Sequence, residues 1–260
     1  MQIVILGMHR SGTSLATRLI HMMGAYLGPD NLFGANQDNP TGYWERRDVV
    51  ECNAALLRHH RTNCSQLIVT PWIGTFTPPE PVVKQRMGSI IRSLNEHDVW
   101  VMKDPHLCLT LPHWQPLLDN PTAVITYRNP LEIAQSLAIR EFNKVPSLER
   151  GLALWEAYAV SLLHASEGMK RVFISHQDLI TDPVQAATHL SKELGLQPVP
   201  QSNILRFFKP ALYRAKTNGM QLTLNPFQEL LCSMLRGEIP FDSSIELSSQ
   251  ARRTLEDSVK

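Results

Sequence analysis

Neither sign of charge predominates in this chain: Lys plus Arg number 25 and Asp plus Glu 24 among 260 residues, a formal net charge of +1. That balance excludes a global field able to recruit DNA, RNA or an anionic membrane, so any anion site has to be local. Long apolar runs are missing too. No segment approaches the ~20 uninterrupted apolar residues of a membrane-spanning helix. "MQIVILGMHR" has no basic start before its short apolar run, unlike a secretion signal. The four cysteines, Cys52, Cys64, Cys108 and Cys232, show no CxxC spacing. They read as free buried thiols of a reducing compartment, and the expectation is a cytoplasmic protein without zinc.

What is present is ordinary globular material, with 43% hydrophobic and 19% charged residues and no repeat or low-complexity tract. The length suffices for a substantial core, and we read residues 1–260 as a single domain. "QIVIL" is a short β-branched run suited to a strand covered on both faces. After Ser11, Leu15, Leu19, Met22 and Met23 fall at helical spacing and Gly24 ends the pattern. Residues 28–44 are rich in Gly, Pro, Asn and Asp and read as a long loop. Helices are predicted over 45–60, 82–95, 131–142 and 148–168, and over 183–194 with Asp182 as N-cap and Gly195 past the end. "DVWVMKDP", "TAVITYRNP" and "RVFISH" supply three more strands. Trp100, Trp114 and Trp155 are assigned to the core. Apolar strands alternating with helices imply an α/β fold with a mostly parallel central sheet flanked by helices. Ligands of such sheets sit beyond the carboxyl ends of the strands, where "GMHRSGTS", "KDPH" and "YRNP" would meet.

The first of these has the outline of a nucleotide-triphosphate loop, G-x-x-x-x-G-K-[ST], with Gly7 and Gly12 in place but Thr13 where the lysine belongs. Backbone amides and a helix N-terminus remain, and the helix dipole contributes about 0.3–1 kcal/mol towards an anion. The missing charge-assisted bond is worth about 1.5–3 kcal/mol. A cation does stand nearby, at Arg10 within the turn, which suggests a ligand whose charges are laid out differently from those of ATP.

"GMHRSGTSL" resembles the 5′-phosphosulfate loop of sulfotransferases that use 3′-phosphoadenosine 5′-phosphosulfate, in which a basic residue precedes a Ser/Gly-Gly-Thr turn. "YRNPLEIAQS" resembles that family's 3′-phosphate site, an Arg ending a strand and a Ser eight positions later, here Arg128 and Ser136. An arginine fork and a hydroxyl from the first turns of a helix suit a phosphate. The purely structural use of Arg128 would be to cap its strand and pair with Glu132. "VMKDPH" is similar to the "KDP" strand end of the tyrosylprotein-type branch, whose Lys contacts the transferring group. "VFISHQDLITDP" resembles the family's "xxYEDLxxDP", with His176-Gln177 replacing Tyr-Glu in a segment that is structural there. The resemblance runs from residue 2 to about 214 and favours the tyrosylprotein and carbohydrate branch. Residues 217–260 match no family segment and lack the "RKGxxGDW" stretch of the cytosolic small-molecule branch. Adenosine-side contacts would then come from Arg206, Arg214 or Lys216.

The resemblance implies the P-loop-like sulfotransferase fold, 3′-phosphoadenosine 5′-phosphosulfate as donor with no metal required, and a carbohydrate, peptide or lipid-linked hydroxyl as acceptor. Sulfuryl transfer is an in-line displacement that needs a positioned hydroxyl, a base and neutralisation of the leaving group. Arg10, Ser11, Gly12, Thr13 and Ser14 are candidates for the 5′ end of the donor, and Arg128 and Ser136 for its 3′-phosphate. Lys103 can reach the bridging oxygen. Glu45 is the candidate base, with His106 and Asp104 as rivals. His106 is similar to the catalytic His of the cytosolic branch but lies further along than the Lys of that strand would place it. Tyr43 and Trp44 are candidates for an acceptor pocket. Two other readings stand beside this one: a small-molecule or nucleoside kinase with an atypical loop, and a nucleotide-binding module without turnover. The residues do not fix the oligomeric state.

Overall fold

A short β-branched strand without a polar face has to be covered on both sides, and Gln2–Leu6 (β1) sits buried along its whole length at the centre of a parallel sheet. In the computed structural model, which describes residues 1–28, 32–34, 42–59, 78–140, 147–208 and 223–256, the strands follow the order β2-β1-β3-β4. Here β2 is Trp100–Lys103, β3 is Thr122–Tyr127 and β4 is Lys170–Ser175. The register pairs Ile5 with Lys103, Leu6 with Ile125 and Tyr127 with Ser175. Gly7, Asp104, Arg128 and His176, each the residue after its strand, are thereby gathered along one edge of the sheet.

Alternation along the strands divides the core in two. Ile3, Ile5, Val101, Val124, Val172 and Ile174 pack against α1 (Thr13–Met22), α8 (Pro183–Leu194) and α9 (Gln201–Phe207). Val4, Leu6, Met102, Ala123 and Ile125 face the other layer. That layer holds α2 (Arg47–His59), α3 (Pro81–Leu94), α4 (Leu107–Trp114), α5 (Pro130–Arg140) and α6 (Leu148–Ala165). It also includes α10 (Pro226–Leu235) and α11 (Ser249–Glu256), while the single-turn-and-a-half α7 (His176–Thr181) links β4 to α8. Trp100, Trp114 and Trp155 are buried in this layer. The molecule is an α/β protein with helices on both faces of a parallel sheet.

Local signals explain most boundaries. Asp182 accepts from the Gln185 amide at the start of α8, Pro183 follows it, and Gly195 ends the helix at φ 65°. The helix α1 starts at Thr13, two residues later than its apolar spacing alone predicts, because residues 9–12 form the turn that carries the loop. The helix α4 went unread in the sequence, since it is eight residues long and holds Pro112 inside it. The tail is also helical: Asn225 and Gln228 close a reciprocal cap on α10. From the long loop read at 28–44, residues 29–31 and 35–41 lie outside the described residues, as does Cys64. Cys52, Cys108 and Cys232 are buried and free. No helix among the described residues is long and apolar enough to cross a membrane.

Candidate active site

The site begins where β1 ends. Gly7 leaves no space for a side chain: a Cβ there would stand 2.1 Å from Thr126 Oγ1 and 2.8 Å from the Thr126 carbonyl oxygen. The Gly7 amide donates to Cys108 Sγ (3.2 Å), and burial pushes that thiol up to about 12. Arg10 adopts φ 72°, a left-handed conformation that turns the chain towards α1. Ser11 serves the loop itself, because its amide and hydroxyl both donate to the Met8 carbonyl (3.1 and 2.7 Å) and the hydroxyl also meets Thr126 Oγ1 at 2.8 Å. Any contact from Ser11 to a ligand would disturb this brace. Gly12, at φ 97°, is the N-cap of α1 and offers no side chain to the first-turn amides. An uncapped helix N-terminus presents its orphan donors to an anion.

Two cations come together above this cap. Arg10 Nε donates to Ser136 Oγ at 2.9 Å, and Arg128 Nη1 donates to the Arg10 carbonyl at 3.1 Å. Arg128 Nε also pairs with Glu132 at 2.8 Å, so the structural use of this arginine coexists with its place at the cap. His176 lies against the same spot, its Cδ2 3.0 Å from where a Cβ on Gly12 would be. Burial and the charges of Arg128 and Arg10 push this imidazole down to about 3, so it stays neutral beside two guanidinium groups. The strand-end segment that carries it therefore touches the site, which the sequence comparison had assigned a structural part.

The other end of the cluster is organised by Lys103. Its ammonium, on a side chain 1% exposed, donates to Glu45 Oε1 (2.5 Å), the Tyr43 carbonyl (2.9 Å) and Ser14 Oγ (3.2 Å). Ser14 Oγ in turn donates to the Tyr43 carbonyl at 3.1 Å. The cation absent from position 13 of the loop is thus supplied in space by β2. Burial raises the Glu45 carboxyl above its ordinary value; Lys103 opposes that shift and Asp104 adds to it. Burial would raise Asp104 as well, but His106, together with a hydrogen bond from Asn53, holds it well below the usual carboxylate range. His106 Nδ1 stands 3.0 Å from Asp104 Oδ1, and the Asp104 charge raises this imidazole above its ordinary value against the pull of burial. Its Nε2 is buried with no hydrogen-bond partner among the described residues, and the His9 ring packs edge-on at 5.0 Å.

Asn53 was not foreseen. Its amide donates to Asp104 (2.8 Å), and its oxygen accepts from Thr110 and Trp114 (2.8 Å each). The signal existed: Asn53 falls on the apolar stripe of α2 with Val49, Cys52 and Leu56, and a buried amide there needs partners. The Trp44 ring packs against α1 and the Arg18 guanidinium, and its neighbours Tyr43 and Glu45 make the contacts to Lys103. Arg206 is exposed on α9, and Arg214 and Lys216 lie outside the described residues.

No protein-family model and no curated protein matches the sequence. Solved structures do. The sulfotransferase domain of the Synechococcus PCC 7002 olefin synthase superposes with a TM-score of 0.50 at 18% identity, covering 100% of this chain and 94% of that one. The sulfotransferase domain of the curacin biosynthetic pathway gives 0.49 at 18% identity, covering 98% and 96%. Sulfotransferase STF9 from Mycobacterium avium gives 0.48 at 13% identity, covering 93% and 77%. The likeness to the Synechococcus domain shows that this chain has the fold of a sulfotransferase domain.

Proposed function

We propose that the chain transfers a sulfuryl group from 3′-phosphoadenosine 5′-phosphosulfate to a hydroxyl acceptor. One observation carries the reading: Arg10 and Arg128, from two separate strand ends, converge with Ser136 on a glycine-capped helix N-terminus that has no loop lysine. Arg10 and Arg128, each able to meet an anion with a planar fork, together with Lys103 suit a nucleotide with anionic groups at both its 3′ and 5′ positions. With the donor bound, the sulfur–oxygen bond to the phosphate breaks as the acceptor oxygen bonds to sulfur, leaving adenosine 3′,5′-bisphosphate and a proton to be accepted. The chain's residues divide that work. The α1 amides and Arg10 hold the 5′ end, and Arg128 with Ser136 the 3′-phosphate. Lys103 supplies positive charge where the leaving oxygen gathers it. Glu45 accepts the proton. Burial makes it a stronger base than an exposed carboxylate, whereas Asp104 is held well below the ordinary range and His106 is engaged with Asp104 through Nδ1. The acceptor is a carbohydrate, peptide or lipid-linked hydroxyl, and the protein is cytoplasmic.

Calorimetric titration tests the assignment. The wild-type protein is expected to bind adenosine 3′,5′-bisphosphate more tightly than adenosine 5′-monophosphate or magnesium-ATP. Removing Arg128 by Arg128→Ala should erase a charge-assisted contact worth about 1.5–3 kcal/mol, roughly 10- to 150-fold in affinity, for the bisphosphate alone. Equal weakening for both adenosine ligands, or tightest binding of magnesium-ATP, would count against a 3′-phosphate site. Labelled-donor turnover with a panel of hydroxyl acceptors then identifies the second substrate.

A further inference from the structure

Trp44 is one of three non-glycine residues with positive φ among the described residues, at 58°. A bulky residue persists in that region only where its surroundings hold it there. Those surroundings are visible. The Arg18 guanidinium lies 5.1 Å from the centroid of the Trp44 ring and 3.9 Å from that of Phe207, so it is stacked between an indole of the loop and a phenyl of α9. The His21 ring, one turn along α1, stands 6.0 Å away. Trp44 also lies over the turn at Gly42, whose Cβ would be 3.5 Å from the indole nitrogen. Arg18 is four residues after Ser14, so α1 meets this loop twice on one face: through the Ser14 hydroxyl on the Tyr43 carbonyl and through Arg18 on the Trp44 ring. With the Trp44 ring packed on α1 and its backbone left-handed, the residues on either side reach Lys103. The Tyr43 carbonyl and the Glu45 carboxylate both receive the Lys103 ammonium.

We propose that Arg18 is a positioning residue of the transfer site: stacked between Phe207 and Trp44, it holds the left-handed turn at Trp44 that sets Glu45 and the Tyr43 carbonyl on Lys103. Planarity matters here, because a guanidinium can face two rings at once, which an aliphatic side chain of equal length cannot do electrostatically. The stack also fastens α9 to the catalytic loop, so a disturbance at Phe207 is transmitted to Glu45 through one side chain. The catalytic consequence rests on the sulfotransferase reading, but the positioning itself does not.

The test is Arg18→Met, with Phe207→Leu as a second variant should the first fail to fold, and Trp44→Phe as the conservative control. The direct readout is the titration of the Glu45 carboxyl by carbon-13 NMR, which needs no activity. In the wild type it is expected above the ordinary carboxylate value, and in Arg18→Met and Phe207→Leu it should move away from the wild-type midpoint as the loop releases Glu45. Trp44→Phe should keep the wild-type midpoint. In turnover, Arg18→Met should lower kcat about 10- to 100-fold, the range for a small displacement of reacting groups. The Kd for adenosine 3′,5′-bisphosphate should stay within about twofold, as no nucleotide contact is removed. A variant that melts earlier while Glu45 titrates as in the wild type overturns the proposal and leaves Arg18 a stabilising staple. If the wild type binds no bisphosphate, the sulfotransferase reading fails, while the Glu45 midpoint in Arg18→Met still upholds or overturns the positioning claim.

Discussion

At the cap of α1, burial and two neighbouring arginines set the charge state of His176. Its folded value of about 3 lies below the ordinary 6.5. The folded protein therefore keeps it neutral while the unfolded chain takes up a proton below pH 6.5. The stability that follows is complete above pH 6.5 and is lost as pH falls towards 3. By pH 5.5 the loss amounts to about 1.4 kcal/mol from this group. Replacing it by His176→Gln should remove that part of the acid sensitivity. Urea unfolding at pH 7.5 and 5.5 reads it as a smaller drop in the variant, and parallel drops in both proteins would refute the assignment. Glu45 shows the opposite dependence on a different axis. A base has to be ionised, so kcat should rise with pH through the raised Glu45 value, and Glu45→Gln should lower kcat by about 100- to 10,000-fold with the bisphosphate Kd nearly unchanged. Unaltered turnover in that variant would move the proton acceptor elsewhere in the cluster.

Among the elements, the crossing of α5 and α6 links packing to the site. Gly151 on α6 meets α5 so closely that a Cβ would stand 2.7 Å from the Ala134 Cβ and 2.8 Å from its Cα. Two residues after Ala134, on the same helix, is Ser136, which accepts the Arg10 hydrogen bond. Gly151→Ala should push α5 outward, at a cost of about 1–3 kcal/mol for overpacking. Bisphosphate affinity should weaken together with Tm, and a second change, Ala134→Gly, should recover part of both. Loss of Tm with unchanged affinity would show that α5 tolerates the shift without moving Ser136. The strands and the caps of α8 were legible because short-range chemistry determines them: β-branched runs, an Asp-Pro start, a glycine stop. That the loop of Arg10 and the strand end of Arg128 share one sheet edge was legible as well, since a parallel sheet brings strand ends together whatever lies between. What could not be read depends on contacts distant in sequence. The brace of Ser11 on Thr126 and the packing of Trp44 on Arg18 both follow from side chains that meet across more than 25 residues. Spacing along the chain carries no trace of them.

For the whole molecule, the question is what residues 217–260 do, as they match no family segment in the sequence. Among the described residues, the stretch 223–256 contributes to the core. Leu231, Met234, Leu235, Ile245, Leu247, Ala251 and Leu255 are all buried in the layer built on α6. Polar contacts fasten the same stretch. The Ser248 amide donates to the buried Glu156 carboxylate (2.8 Å), His164 donates to the Ile245 carbonyl (2.7 Å), and Arg150 to the Thr254 carbonyl (3.2 Å). A chain ending at residue 222 would expose that apolar face of α6 and remove the Ser248 amide from Glu156. At about 1.5–3 kcal/mol for each large apolar side chain, the loss is on the order of 10 kcal/mol. That is comparable with the whole stability of a typical domain, about 5–15 kcal/mol. Because α6 also carries the α5 crossing, the damage should reach the arginine pair. The truncated protein is expected to show no cooperative thermal transition and no bisphosphate binding, measured by calorimetry against the full chain. A truncated chain that melts cooperatively near the full-length Tm would mean that α6 is held by the sheet and by α4 and α5 alone, and that the tail only lies upon it.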